Sequence, residues 1–259
     1  MSLVLVEDRD AVRHVVINRP EKRNALDAAV IEQLGEALHG AAAQESARLV
    51  VLRGEGAMFS SGMDTGDLAA LAADPTRLRE YRTEILAIWD LLENMAKPTI
   101  AQIHGACLGG AAELALACDM RVMASDAVIG LVETRVGVIP DVGGCSRLPA
   151  LVGLGRAKEL IMASKVIDGT EAERIGLVNR IAPAQELDAA TAQLADELLA
   201  CGPLAVGLAK QVLNAAARPG LAGTLEQEIA AQELCATSED FREGMRAVAE
   251  KRAPRFIGR

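Results

Sequence analysis

Short runs rich in β-branched residues, at 12–17, 49–52 and 99–103, are separated by segments whose apolar residues recur at helical spacing. That alternation constrains the fold more than any other feature of the chain. Runs this short, bounded by polar or glycine-containing turns, read as buried strands, and the third starts directly after the breaker Pro98. Asp27 can cap a helix whose Val30, Ile31, Leu34 and Leu38 share one face. Leu78, Tyr81, Ile85, Trp89 and Leu92 repeat that spacing, which places the Trp and Tyr in packing rather than in a ligand cage. Further strands are expected at 120–123 and 177–181. Strands alternating with helices imply an α/β fold.

After residue 183 the pattern becomes helical throughout, over 184–200, 204–217, 225–236 and 239–249, punctuated by Gly202-Pro203 and Pro219-Gly220. Thr224 and Gln227 have the spacing of a capping box. A length of 259 residues suits one large α/β core with an appendage, divided here as 1–200 and 201–259. The end is basic: six Arg or Lys over 242–259 face only Glu243 and Glu250, which fits either a solvated helix face or a site for phosphate.

With 51% hydrophobic and 24% charged residues the chain can fill a core and is not a disordered protein. A formal charge of −9 and only five aromatics (Phe59, Tyr81, Trp89, Phe241, Phe256) argue against nucleic acid as a partner. The start MSLVLVEDRD has neither a basic n-region nor an apolar h-region, and no run elsewhere is long and apolar enough for a membrane span. A soluble cytoplasmic protein without a membrane partner is expected. Five cysteines without C-x-x-C spacing read as reduced core residues, and His14, His39 and His104 lack metal spacing. Neither disulfides nor a metal is indicated. The nucleotide-binding motifs and the G-x-S-x-G elbow are also missing.

The chemistry concentrates at two strand-to-glycine corners, VVLRG at 50–54 and AQIHG at 101–105. Beyond the second, Gly109-Gly110 opens a helix, so the Gly110 N–H can bind an oxyanion and Glu113 lies in the first turn beside it. Ordinary dipole-favoured placement of a Glu is the alternative. Beyond the first, Gly62 permits a turn that frees the Met63 N–H, and two convergent amides would form an oxyanion hole; a plain β-turn is the other reading. Glu133 ends a small apolar run and Asp141 follows eight residues later, so their pKa values should rise. Alternatively Asp141 opens the next helix, and Glu133 pairs with Arg135 or Arg121. His104 could serve Ser60 or Ser61 as a base, or simply hold structure.

Asn18-Arg-Pro-Glu-Lys-Arg-Asn-Ala-Leu-Asp27, Phe59-Ser-Ser-Gly-Met-Asp64, His104-Gly-Ala-Cys-Leu-Gly-Gly-Ala-Ala-Glu-Leu114 and Glu133-Thr-Arg-Val-Gly-Val-Ile-Pro-Asp141 resemble the enoyl-CoA hydratase/isomerase (crotonase) family. The resemblance continues through Glu171-Ala-Glu-Arg-Ile-Gly-Leu-Val178 to Glu250-Lys-Arg252 and covers essentially the whole chain. It implies a spiral of ββα units with a C-terminal helical trimerisation region, assembled as a homotrimer or a dimer of trimers. It also implies an acyl-CoA thioester substrate, whose coenzyme A is the only cofactor-like group, and an enolate held by the Met63 and Gly110 amides. Glu113 and Glu133 fall where hydratases hold and activate water. Substrate and CoA contacts would come from Lys22, Arg23, Ala25, Ser61, Asp64, Thr65 and Lys251.

The resemblance therefore implies hydration of a trans-2-enoyl-CoA. Asp141 departs from the hydratase pattern, where Gly is common, and matches the proton-transfer base of resembling dienoyl-CoA isomerases. The alternative is thus a double-bond isomerase using Asp141 with Glu113 or Glu133. Val248 stands where some hydratases place an aromatic against CoA. A non-catalytic acyl-CoA-binding protein is the competing class, and retention of all three acids argues against it.

Overall fold

A computed structural model describes residues 2–259. The first two strands set the pattern: β1 (Val4–Arg9) turns through Asp10, at φ 54°, into β2 (Val12–Ile17), antiparallel in the register Val6↔Val15. The chain then crosses by α1 (Ala28–Ala43) to β3 (Leu49–Gly54), and by α2 (Thr65–Ala73) and α3 (Leu78–Asn94) to β4 (Thr99–Ile103). Next come β5 (Ala106–Leu108), α4 (Gly110–Ala117), β6 (Met120–Ala124) and β7 (Val128–Gly130). The pair α5 (Gly144–Val152) and α6 (Leu154–Met162) leads to β8 (Ile167–Asp168), α7 (Gly169–Arg174), β9 (Arg180–Ala182) and α8 (Leu187–Leu199).

Two sheets result. The larger runs β1-β2-β3-β4-β6-β9, parallel except at the β1 edge, and the smaller runs β5-β7-β8. Each turn of the spiral gives a strand to the large sheet and then a segment to the second layer: β4 is followed by β5, and β6 by β7. The earlier turns contribute isolated bridges there, Leu26↔Met63 and Ser60↔Cys107. The echo between 50–54 and 101–105 is this repeat, since β3 and β4 lie side by side with Val50 opposite Thr99. Gly105 is required at its corner: φ is +59°, and a β-carbon would collide with Ala57 O.

The core lies between the large sheet and the helices covering it. Asp27 accepts the Val30 N–H at 2.9 Å, and Val30, Ile31, Leu34 and Leu38 are buried as their spacing predicts. Trp89 is completely enclosed. Three expectations shift. The strand forecast at 177–181 starts only at Arg180, because Leu177 and Val178 turn inward as core residues. Thr224 caps nothing: it sits one turn inside α10 (Leu221–Thr237), its hydroxyl donating to Leu221 O. Half of the basic tail is paired internally, with Arg252 on Glu243 and Glu250, Arg246 on Glu243, and Arg259 near Glu239.

The C-terminal helices are two kinds of element. α9 (Pro203–Ala217) leaves Leu204, Leu208 and Val212 exposed along one stripe. α10 and α11 (Glu239–Glu250) instead fold back onto the core: Gly244 packs so tightly on Val136 that a β-carbon there would collide with Val136 O.

Candidate active site

Main-chain hydrogen bonds zip the two glycine corners together. Phe59 N–H donates to His104 O at 2.9 Å, Ser60 N–H to Ala106 O at 3.0 Å, and Leu108 N–H returns to Ser60 O at 3.2 Å. Gly62, at φ +94°, passes so close that a β-carbon would lie 2.5 Å from Leu108 O. Leu26 N–H to Gly62 O and Asp64 N–H to Leu26 O clamp Met63 on both sides. Across from it Gly109, at φ +55°, donates to Gly130 O, and Gly110 begins α4, where the first N–H groups have no intrahelical acceptor. Among the described residues neither the Met63 nor the Gly110 N–H meets an acceptor. A β-carbon on Gly110 would stand 3.8 Å from Met63 N and 2.9 Å from Met63 Cγ, so the two corners abut.

Three acids line one cavity of about 200 Å³ beside these amides. Glu113, only 2% exposed on α4, accepts the Val142 N–H at 3.0 Å and the Gly144 N–H at 2.8 Å on a single carboxylate oxygen. Burial, with Glu133, Asp141 and Glu228 nearby, drives its carboxyl well above the usual range, and the Gly144 N–H opposes this. Glu133 opens the 3₁₀ turn Glu133–Val136, and both its oxygens are buried with no partner. A β-carbon on Gly109 would lie 3.3 Å from Glu133 Oε1, which places that carboxyl over the glycine corner. Burial pushes it up to about 8. Asp141 is pushed up to about 7, again by burial, against the pull of Arg82.

The alternatives for these groups fail on contacts. Arg135 donates to Ser164 O, and Arg121 to the carbonyls of Leu177, Ala115 and Cys118, so neither pairs with Glu133. Asp141 does not open a helix: α5 begins at Gly144, preceded by Gly143 at φ +109°. His104 Nε2 rests on Gly56 O while Ser60 Oγ donates to Asn24 O, so no Ser–His pair forms.

A sequence model of enoyl-CoA hydratase/isomerase matches residues 7–259. The chain belongs to this family. It is 35% identical over 257 residues to a crotonyl-CoA hydratase of Syntrophomonas wolfei, covering 99% of this chain and 98% of that one. It is 37% identical over 272 residues to the human mitochondrial methylglutaconyl-CoA hydratase, covering 99% and 80%. An enoyl-CoA hydratase structure from Mycobacterium avium subsp. paratuberculosis superposes with a TM-score of 0.88 at 29% identity, over 98% of each chain. The crotonase fold and an enzyme of this family are thereby established.

The remaining family positions scatter. Ser61 and Thr65 line the cavity. Lys22 and Arg23 are exposed and Ala25 is buried beside them, in a loop where Ser61 N–H donates to Arg23 O and Asn24 Nδ2 donates to Glu55 O and Met58 O. Asp64 is committed elsewhere: it caps α2 through Gly66 N–H and pairs with Arg19 at 2.9 Å, which holds its carboxyl low. Lys251 ends α11 at φ 52° and does not line the cavity. Tyr81, expected only in packing, also lines it.

Sequence reasoning missed Arg82, Glu228, Gln232 and Phe241. Arg82, Gln232 and Phe241 line the cavity, and Glu228 caps α5 from α10 through Gly143 N–H, Ser146 N–H and Ser146 Oγ. A signal existed: Leu225, Glu228 and Gln232 share one helical face, which is polar where a buried face should be apolar. Among the described residues no group of three His, Cys, Asp or Glu could hold a metal ion.

Proposed function

We propose that this enzyme is an enoyl-CoA hydratase, adding water syn across the double bond of a trans-2-enoyl-CoA to give the 3-hydroxyacyl-CoA. The observation that carries this reading is the asymmetry of the two glutamates: Glu113 accepts two main-chain N–H groups and Glu133 none. Donors favour an ionised carboxylate, and apolar burial favours a protonated one. Two neighbouring buried acids do not both ionise, so the charge resides on Glu113 and the proton on Glu133. With the thioester carbonyl against the Met63 and Gly110 amides, Glu113 takes a proton from water, whose oxygen bonds to Cβ. The double-bond electrons move toward the carbonyl oxygen, where the amides hold the enolate. Glu133 then delivers its proton to Cα, and the carbonyl re-forms. Both water protons and the oxygen are accounted for once Glu113 passes its proton back to Glu133.

Around this centre, Ala25, Ser61 and Thr65 would flank the thioester end, and Lys22, Arg23 and Lys251 would meet the phosphates of CoA. The stripe of Leu204, Leu208 and Val212 supports self-association through α9, in keeping with a homotrimer or dimer of trimers. Crotonyl-CoA tests the reaction directly: the enoyl-thioester absorbance should disappear with formation of 3-hydroxybutyryl-CoA, and inertness of a folded protein would overturn the reading. A second reading, isomerisation between 3-enoyl- and 2-enoyl-CoA, is favoured by Asp141, which lines the same cavity and could accept or return a γ-proton. Conversion of a 3-enoyl-CoA to its conjugated isomer would report it.

A further inference from the structure

Among the described residues Arg82 is the only Lys or Arg lining the cavity, and its side chain is 5% exposed. Its Nε donates to the main-chain O of Asp141 at 2.5 Å and lies 3.7 Å from Asp141 Oδ2. Its Nη2 donates to Leu225 O at 2.5 Å and lies 3.8 Å from Glu228 Oε2. One guanidinium thus grips the Asp141 loop by backbone and carboxylate while anchored at two points on α10. A planar fork with donors on three nitrogens suits this double grip, and a lysine could supply only the charge.

The surroundings make that grip consequential. Asp141 faces Arg82 from α3, Glu228 and Cys235 from α10, Glu113 from α4, Glu133 from its 3₁₀ turn and Cys145 from α5. Of these titratable groups all but Arg82 are acids or thiols. Without Arg82 the loop would lose this anchor, and the carboxyl would lose the cation that opposes its burial. Glu228 is held mainly by Gly143 N–H, Ser146 N–H and Ser146 Oγ, with Arg82 adding a weaker pull.

We propose that Arg82 is the positioning residue for Asp141, fixing its loop through the main-chain carbonyl and orienting its carboxyl in the cavity, where the neighbouring guanidinium favours the ionised form. The C-terminal helix α10 thereby fixes the third acid of the site through Arg82. What that acid does to substrate rests on the thioester reading above, whereas the grip itself is measurable without substrate.

Carbon-13 NMR of aspartate-labelled protein, with D141N identifying the resonance, gives the titration midpoint of Asp141. In R82M it should move to higher pH by about one unit or more, a tenfold change in the proton equilibrium, and R82K should recover most of that displacement. R82Q carries the same test if R82M does not fold. An unmoved midpoint in a folded R82M or R82Q overturns the proposal. Turnover of a 3-enoyl-CoA supplies an independent readout: the acid limb of its pH profile should move upward with the midpoint, and R82M should add nothing in a D141N background. If the unaltered enzyme converts neither crotonyl-CoA nor a 3-enoyl-CoA, the thioester reading fails, and the NMR midpoint still decides the role of Arg82.

Discussion

Gly144 donates its main-chain N–H to Glu113 Oε1 at 2.8 Å, and a β-carbon at Gly144 would stand 2.9 Å from that same oxygen and 2.5 Å from Pro140 Cβ. The contact that fixes the acid on α4 therefore also excludes any side chain at the start of α5. Gly144→Ala should push the Glu113 carboxylate off its two donors and raise its proton affinity. The expected outcome is a fall in kcat of about 10²-fold with KM changed little, because the displaced group acts on water and not on CoA. Steady-state kinetics on crotonyl-CoA checks it, and a selective rise in KM would contradict it.

Glu133→Gln removes the transferable proton while keeping the shape of a side chain that makes no hydrogen bond. Turnover should drop by about 10²–10⁴-fold, the usual range for a lost general acid. Calorimetric titration with a saturated acyl-CoA should give an unchanged Kd. Residual activity near the parent's level would remove Glu133 from the mechanism.

Because Glu133 and Asp141 titrate near 8 and 7 in the folded protein, against ordinary values of 4.5 and 3.8, the native state binds protons more tightly than the unfolded chain between those limits. Stability from these groups is fully present below the ordinary values and is lost as pH rises through 7 and 8. The Tm should therefore fall between about pH 4 and pH 8, and Glu133→Gln should flatten that decline and raise Tm on its alkaline side. Below about pH 4 the sign reverses for Glu243, held down to about 2 mainly by its hydrogen bond from Arg252, as that pairing is lost. Differential scanning calorimetry across this range tests both arms.

Local patterns carried the α/β core in the sequence. Asp27 and the face Val30, Ile31, Leu34 and Leu38 need only helical spacing and a cap to be read, and Gly110 and Glu113 follow from a glycine pair ahead of a helix. The strands β5, β7 and β8, two or three residues long, escape because pairing rather than composition makes them strands. Arg82, Glu228 and Phe241 come from distant segments that meet only once α10 and α11 fold back over the cavity, a contact no local spacing encodes. Thr224 shows the opposite failure, where capping-box spacing is present and the helix starts earlier, after Pro219-Gly220.

Glu228→Ala should expose how strongly α10 supports the site. It leaves the Gly143 and Ser146 N–H groups at the start of α5 without their acceptor, and a buried unsatisfied donor costs about 1–3 kcal/mol. With roughly 2–4 °C per kcal/mol for a chain of this size, Tm should fall by several degrees, and Glu228→Gln, which retains an acceptor oxygen, should fall less. Equal losses in the two variants would mean that charge, not acceptance, is what α5 requires.

Gly244 gives the sharpest test of whether the C-terminal helices belong to the catalytic unit. On α11 it lies against Val136, the last residue of the turn that begins with Glu133, and one helical turn before it Phe241 lines the cavity. A methyl group at 244 must displace α11, the turn, or both, since the obstacle is backbone and not a flexible side chain. Gly244→Ala should therefore lower Tm and kcat together. A purely appended helix would predict lost stability or altered assembly with kcat intact. Kinetics at a temperature well below the variant's Tm, with gel filtration to record the oligomeric state, separates the two outcomes.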